Sequence, residues 1–371
     1  MKITCDRHLL DSYLSLLVQN FSGICQPRIL NYVLLEAESP DTLALTVFDG
    51  EQSVYVPLEA AVEQSGAIAV PLKELRQIVH NLYEEIVSLS SVDTNLIEIE
   101  TNSTEIELEA ASEAEFVLPQ VLSNGIDFAL DPIILKKGIE NSTYACGNDR
   151  YNKVLTGANI QILPGKIEFW GTNSFRLAHY ALENSSDEQV SLTIPAKTLK
   201  LVERVIGFVP NDRIKLTYSP ESQFIKFKID KFTIVGASLD GYPQCDRLIP
   251  ELFAAQVILN RHELLKNLQV LEIVAKDKIV RFKLNLDEQD LDLIVTIPQI
   301  VRGERKQTAE IIGTLNEREG VCLNVKYTIE AIAKLTSEKI KILLNDWHEP
   351  VLIEALETTT ARTIIMPIQI R

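Results

Sequence analysis

The segments Ala69-Val70-Pro71-Leu72-Lys73-Glu74-Leu75 and Thr193-Ile194-Pro195-Ala196-Lys197-Thr198-Leu199 carry one pattern 124 residues apart. Each is the apolar end of a strand, then a proline, then the start of an amphipathic helix. Proline suits a first helical position, because its φ is already helical and its missing N–H has no partner there anyway. Leu323-Asn324-Val325-Lys326-Tyr327-Thr328-Ile329 is a third, weaker copy without the proline. A strand-to-helix signature returning at this period points to a repeated architecture.

The flanking sequence repeats too. Leu96 to Glu100 and Glu105 to Glu109 alternate strictly across a polar turn, as a hairpin with one buried face does. Phe224 to Ile229 and Phe232 to Val235 flank Asp230-Lys231, another pair surrounds Leu163-Pro164-Gly165-Lys166, and Ile340 to Leu344 and Val351 to Ala355 form a further pair. Helix-period segments at 7–21, 131–145 and 260–276 open each copy, and 71–82, 195–208 and 326–339 supply a second helix. The chain therefore reads as α+β: three units of two helices on antiparallel sheets, spanning 1–124, 125–250 and 251–371.

Composition narrows the function classes. The 371 residues include 46% hydrophobic side chains, enough for several cores. No apolar run reaches the length of a membrane span, and the charged, alternating start gives no expectation of a signal peptide. Five scattered cysteines (Cys5, Cys25, Cys146, Cys245, Cys322) form no CxxC pair, so a reduced cytoplasmic setting is expected, without zinc or disulfides. The histidines His8, His80, His179, His262 and His348 share no metal-ligand spacing. No nucleophile elbow or phosphate loop is present, and the many glutamates alternate outward on strands. A non-enzyme without cofactor or metal is the expectation. Net charge is −16, yet the six expected helices sum to +5, leaving −21 for strands and loops. Lys73 and Arg76 in the first unit parallel Lys197, Lys200 and Arg204 in the second and Lys326, Lys334 and Lys339 in the third.

Six stretches in order resemble one family, the bacterial DNA polymerase III beta subunits, or sliding clamps. Pro27-Arg28-Ile29-Leu30-Asn31-Tyr32-Val33-Leu34-Leu35-Glu36-Ala37 is similar to the family's P-I-L-x-N-x-L-L-x-A. Tyr151 to Gly157 resembles R/K-x-x-L-x-G, and Gly171-Thr172-Asn173-Ser174-Phe175-Arg176-Leu177-Ala178 resembles A-T-D-G/S-x-R-L-A. Tyr242-Pro243-Gln244-Cys245-Asp246-Arg247-Leu248-Ile249-Pro250 is similar to F-P-D-Y-x-R-V-L-P. The opening Met1-Lys2-Ile3 and the closing Ile364-Ile365-Met366-Pro367-Ile368 complete the set.

The resemblance implies a head-to-tail homodimer forming a six-domain ring around duplex DNA, tethering the replicative polymerase. It implies a cleft where short peptide motifs of polymerases, the clamp loader and repair polymerases dock. That cleft would be built by Leu155, Thr172, Ser174, Phe175, Arg176, Leu177, Pro243, Arg247, Leu248, Ile364, Ile365, Met366, Pro367 and Ile368. Aliphatic walls, an adaptable Met366 thioether and the arginines Arg176 and Arg247 at the rim suit such a role. Lys73, Arg76, Arg150, Lys153, Lys197, Lys200 and Lys326 would face DNA. A faintly positive lining releases few counterions, so it holds DNA loosely and permits sliding. The chain departs from the family at Ser22 to Leu30, where an arginine expected to reach DNA is missing, and at Gly50, Asn173, Asp246 and Gln369; 296–320 does not reproduce the family's acidic segment. The competing classes are a β-rich adaptor binding proteins without DNA, which keeps the repeats but predicts no ring, and a hydrolase, which no motif favours. A cytoplasmic, nucleoid-associated protein that avoids membranes is expected.

Overall fold

The computed structural model describes residues 1–371 apart from positions 22, 24, 39, 119–124, 149–150, 186–187, 211–212, 276, 298–300, 314–319, 347 and 370–371. Six α-helices occur among the described residues: α1 (Arg7–Phe21), α2 (Leu72–Asn81), α3 (Pro132–Ser142), α4 (Ala196–Phe208), α5 (Arg261–Val274) and α6 (Val325–Lys334). Short polar caps start four of them. Asp6 accepts from Leu9 N at 2.7 Å, Asp131 from Ile133 N at 2.7 Å, Asn260 from Glu263 N at 3.0 Å and Asn324 from Tyr327 N at 3.1 Å. Each satisfies an orphan helix donor, a contribution of about 1 kcal/mol.

The prolines sit one residue earlier than the sequence suggests. Pro71 and Pro195 close the strands Gly66–Pro71 and Val190–Pro195, where the ladder holds them opposite Tyr32 and Gly157, and the helices begin just after. Lys339, expected on a helix, opens the strand Lys339–Leu344.

The chain forms two compact units, one of residues 1–135 and 197–238, the other of residues 136–196 and 239–371. The first holds a nine-stranded antiparallel sheet in which Thr42–Phe48 and Gln52–Glu59 continue directly into Phe232–Ala237 and Phe224–Ile229. The seam pairs Tyr55 with Thr233 and Ser53 with Val235. Its second sheet has five strands, ordered Ala61–Gln64, Lys2–Asp6, Ile86–Ser91, Leu96–Glu100 and Glu105–Glu109. Tyr13 of α1 meets Phe208 and Phe232 with ring centroids 5.5 and 5.6 Å apart, and Arg204 of α4 donates to the Gln19 carbonyl at 3.1 Å.

The second unit repeats the plan. Its nine-stranded sheet runs Val190–Pro195, Gly157–Leu163, Lys166–Thr172, Arg176–Glu183, then across a seam to Ala361–Ile365, Val351–Ala355, Lys339–Leu344, Ala255–Asn260 and Glu310–Gly313. The seam pairs Leu177 with Ile364 and His179 with Arg362. A four-stranded sheet accompanies it, ordered Val301–Thr308, Asp290–Ile297, Ile279–Asn285 and Val321–Asn324. Leu264, Leu268 and Leu271 of α5 and Ala331 and Ile332 of α6 are buried in one core with the strands. Gly171 marks a close approach: a Cβ there would lie 2.0 Å from the Ser142 carbonyl oxygen. The fold is α+β with antiparallel sheets, as the repeats require.

Candidate partner-binding cleft and DNA-facing cations

Residues 172–176 form a tight turn whose shape is set by two side chains. Asn173 Oδ1 accepts from Phe175 N and Arg176 N, both at 3.0 Å, and Thr172 Oγ1 donates to the Arg176 carbonyl at 2.7 Å. Ser174, at φ 73°, takes the left-handed corner, a conformation a short polar residue tolerates better than a bulky one. Asparagine serves here because its amide also donates, to Tyr327 OH at 3.2 Å. The turn lifts Phe175 out, 64% exposed, and Met366 N–H donates to the Phe175 carbonyl at 2.8 Å, so the last strand ends beside it. Met366 is 39% exposed.

Beneath lies an apolar floor of Leu177 and Ile364 with Trp170, Cys245, Leu343 and Leu352. The segment 242–253 crosses this floor, tied down by Tyr242 OH donating to the Trp170 carbonyl at 3.1 Å. It leaves Pro243, Arg247 and Leu248 exposed.

The expected cleft residues thus divide. Ser174, Phe175, Pro243, Arg247, Leu248 and Met366 are exposed, Pro367 and Ile368 are half-buried, and Leu155, Thr172, Leu177 and Ile364 form buried support. Ile365 does not join them. Strand alternation sends it to the opposite face from Ile364, into the core with Val351 and Ile353, fully buried. Arg176 is likewise no rim residue. It is buried, its guanidinium bonded to the Glu330 carboxylate and the Tyr144 carbonyl and stacked 4.2 Å from the Tyr327 ring. Tyr144 shares a 2.7 Å hydrogen bond with Thr363, and burial pushes its phenol up to about 12. Arg176 fastens α6 and the 143–145 turn to the strand Arg176–Glu183.

Of the six described cations expected to face DNA, three are coupled to acids. Arg76 lies 3.7 Å from Asp11, Lys197 bonds the nearly buried Asp49, and Lys326 lies 3.9 Å from Glu330. Lys73, Lys153 and Lys200 are exposed, and no ion pair joins them to a described residue. Arg150 lies outside the described residues. Among the described residues no three His, Cys, Asp or Glu could hold a metal ion, and no helix is long and apolar enough to cross a membrane.

Comparison with known proteins was made against this geometry. Residues 129–244 match the family described as DNA polymerase III beta subunit, central domain, and residues 246–369 match its C-terminal domain. The chain belongs to the DNA polymerase III beta-subunit family. It is 29% identical to proteins named Beta sliding clamp from Synechocystis sp. and from Synechococcus elongatus, covering 100% of both chains in each case. Its fold matches the solved beta subunit from Thermotoga maritima with a TM-score of 0.90 at 21% identity, and the sliding clamp from Bacillus subtilis with 0.89 at 20%, each over 100% of both chains. The clamp expectation stands and the adaptor alternative is not favoured.

Proposed function

We infer that the chain is a DNA sliding clamp, a non-catalytic processivity factor for the replicative DNA polymerase. The carrying observation is the end-to-end match to proteins named Beta sliding clamp. In this reading three units, 1–124, 125–250 and 251–371, are repeated in a second copy to make a six-unit homodimeric ring on duplex DNA.

The sheet inventory supports that assembly. Within the chain, seams join hairpin sets into two nine-stranded sheets, while a five-stranded and a four-stranded sheet keep open edges at Glu105–Glu109 and Val301–Thr308. Five and four strands make nine, so head-to-tail pairing would build the missing equivalents. The edges differ in charge: one carries Glu105, Glu107 and Glu109, while the other is net basic, with Arg305 and Lys306 outweighing Glu304 although Lys306 also lies 3.3 Å from Glu288 and 3.8 Å from Asp292. Exposed edges are otherwise an aggregation hazard, and pairing removes it.

The coupled cations fit the same role. A lining in which Arg76, Lys197 and Lys326 are each matched by an acid grips DNA weakly and displaces few counterions. The exposed Phe175, Met366, Leu248 and Arg247, on their buried support, make the site where peptide motifs of the polymerase, clamp loader and repair polymerases dock, and the protein works in the cytoplasm at the nucleoid. The test is retention after loading. The protein runs at twice the 41.7 kDa chain mass and stays on closed circular DNA but slides off the linear form. A monomer, or equal retention on both DNAs, refutes the ring.

A further inference from the structure

The 242–253 segment is held to the second unit chiefly at its two ends. Tyr242 OH donates to the Trp170 carbonyl at 3.1 Å, and at the far end Ala254 N–H donates to the Leu344 carbonyl at 3.0 Å. Asn345 clasps that far end too, accepting from Ala254 N at 2.8 Å and donating to the Leu252 carbonyl at 3.0 Å. From 243 to 251, among the described residues, no hydrogen bond or ion pair joins the segment to the rest of the unit. Its backbone bonds there are internal, Leu248 N–H to the Cys245 carbonyl at 3.0 Å and Ile249 N–H to the Asp246 carbonyl at 3.4 Å.

The middle is kept down by apolar contact alone. Cys245, buried, and Ile249, half-buried, pack with Trp170, Leu343 and Leu352 of the sheet. Residues 242–247 also border a cavity of about 1270 Å³, where packed side chains would otherwise add dispersion contacts. Lifting this middle exposes a handful of side chains, whereas unfolding the unit exposes the whole core around α5 and α6. A segment so held opens far more often than its unit unfolds.

The same residues build half of the cleft. Of its six exposed members, Pro243, Arg247 and Leu248 belong to the segment, Ser174 and Phe175 to the 172–176 turn, and Met366 follows the last strand. A peptide lying across all of them bridges the segment to the sheet. A ligand that binds one of two states suppresses the other in proportion to its occupancy.

We propose that residues 243–251 form a strap that lifts and recloses without unfolding of the unit, and that a partner peptide in the cleft latches it shut. Lifting withdraws Pro243, Arg247 and Leu248 together, so a docked partner loses half of its exposed contacts at once and gives way to another. The latch rests on the cleft being the peptide-docking site; the lifting does not.

The test uses the full-length dimer, with Cys245 as reporter. Burial, with Asp246 beside it, pushes this thiol up to about 11, so the thiolate that alkylating agents attack is scarce while the strap is down. The protein is pulsed with N-ethylmaleimide, and each cysteine is read separately by mass spectrometry of its proteolytic peptide. Cys5 and Cys322, buried in the strands Lys2–Asp6 and Val321–Asn324, report unfolding of the two units. Cys245 reacts faster than either, at a rate nearly flat in urea up to about 1 M, whereas a rate set by whole-unit unfolding rises more than about fivefold over that range. Tyr242→Phe frees one anchor but keeps the ring; it speeds Cys245 about three- to tenfold and leaves Cys5 and Cys322 unchanged. A polymerase-derived peptide at about a hundred times its Kd slows Cys245 about a hundredfold. A Cys245 rate no faster than that of Cys322, or rising with urea as Cys322 does, overturns the strap. An undiminished rate with the peptide bound overturns the latch. Peptide binding itself is read by fluorescence anisotropy, so a cleft that binds nothing is told apart from a strap that is not latched.

Discussion

Replacing Arg176 with methionine separates an internal fastener from a partner contact. Methionine keeps the apolar stem but removes the guanidinium, leaving Glu330 and the Tyr144 carbonyl without their charged donor. Breaking a buried pair from one side costs about 3–5 kcal/mol. Glu330 retains 31% of its side-chain exposure and has Lys326 at 3.9 Å, which brings its share to roughly 2 kcal/mol. Loss of the stack on Tyr327 adds about 0.5–1 kcal/mol. The expected total is about 3 kcal/mol, or a fall in Tm of roughly 6–12 °C for a unit of this size. Thermal unfolding by circular dichroism measures it. Glu330→Gln in the same background restores part of the loss, because the uncompensated carboxylate is gone. A Tm within about 2 °C of the parent, together with lost affinity for a polymerase peptide, would refute the reasoning and return Arg176 to the rim.

Other expectations follow from the same geometry. Glu105→Lys with Glu107→Lys repels the basic edge at Arg305 and Lys306, so sedimentation shows monomers; mixing with an Arg305→Glu, Lys306→Glu chain restores a dimer, and dimers in both single preparations would discount this edge. Lys200→Glu reduces retention on DNA at low salt without loss of Tm, whereas Lys197→Glu sets a carboxylate against Asp49 and lowers Tm first; equal Tm for the two would remove the distinction. His179 and then Lys166, against the opposing cost of burial, hold the Glu168 carboxyl down to about 2 from its ordinary 4.5. Its stabilising contribution is therefore full above the ordinary value and drains away as pH falls toward the depressed one. The Tm gap between the parent and Glu168→Gln should narrow from about pH 5 to about pH 3, and a constant gap would count against this coupling.

The helices and hairpins were legible because their signals are local. Periodicity and the Pro71 and Pro195 punctuation lie within a few residues of what they specify. The seams were not. Alternation in Gln52–Glu59 says which face is buried, not that the neighbouring strand is Phe232–Ala237. The strand Val301–Thr308 escaped notice because its charges mask the alternation, a pattern tolerated on an edge where one side lacks a neighbour. In the site, the exposed Phe175 and Met366 could be named from motif position alone. The inward turn of Arg176 could not, since Glu330 and Tyr144 come from distant sequence. Ile365 was a legible miss: one residue past Ile364 on a strand must face the other way.

The seams also set a timetable for synthesis. Glu59 leaves the ribosome 173 residues before Phe232, and Glu183 leaves 178 residues before Ala361. At about 5–20 residues per second, each half-built sheet waits roughly 9–35 s for the strand that completes it. During that interval Gln52–Glu59 and then Arg176–Glu183 offer bare backbone to any nascent neighbour. Crowding of nascent chains on one polysome is therefore a hazard this topology must survive.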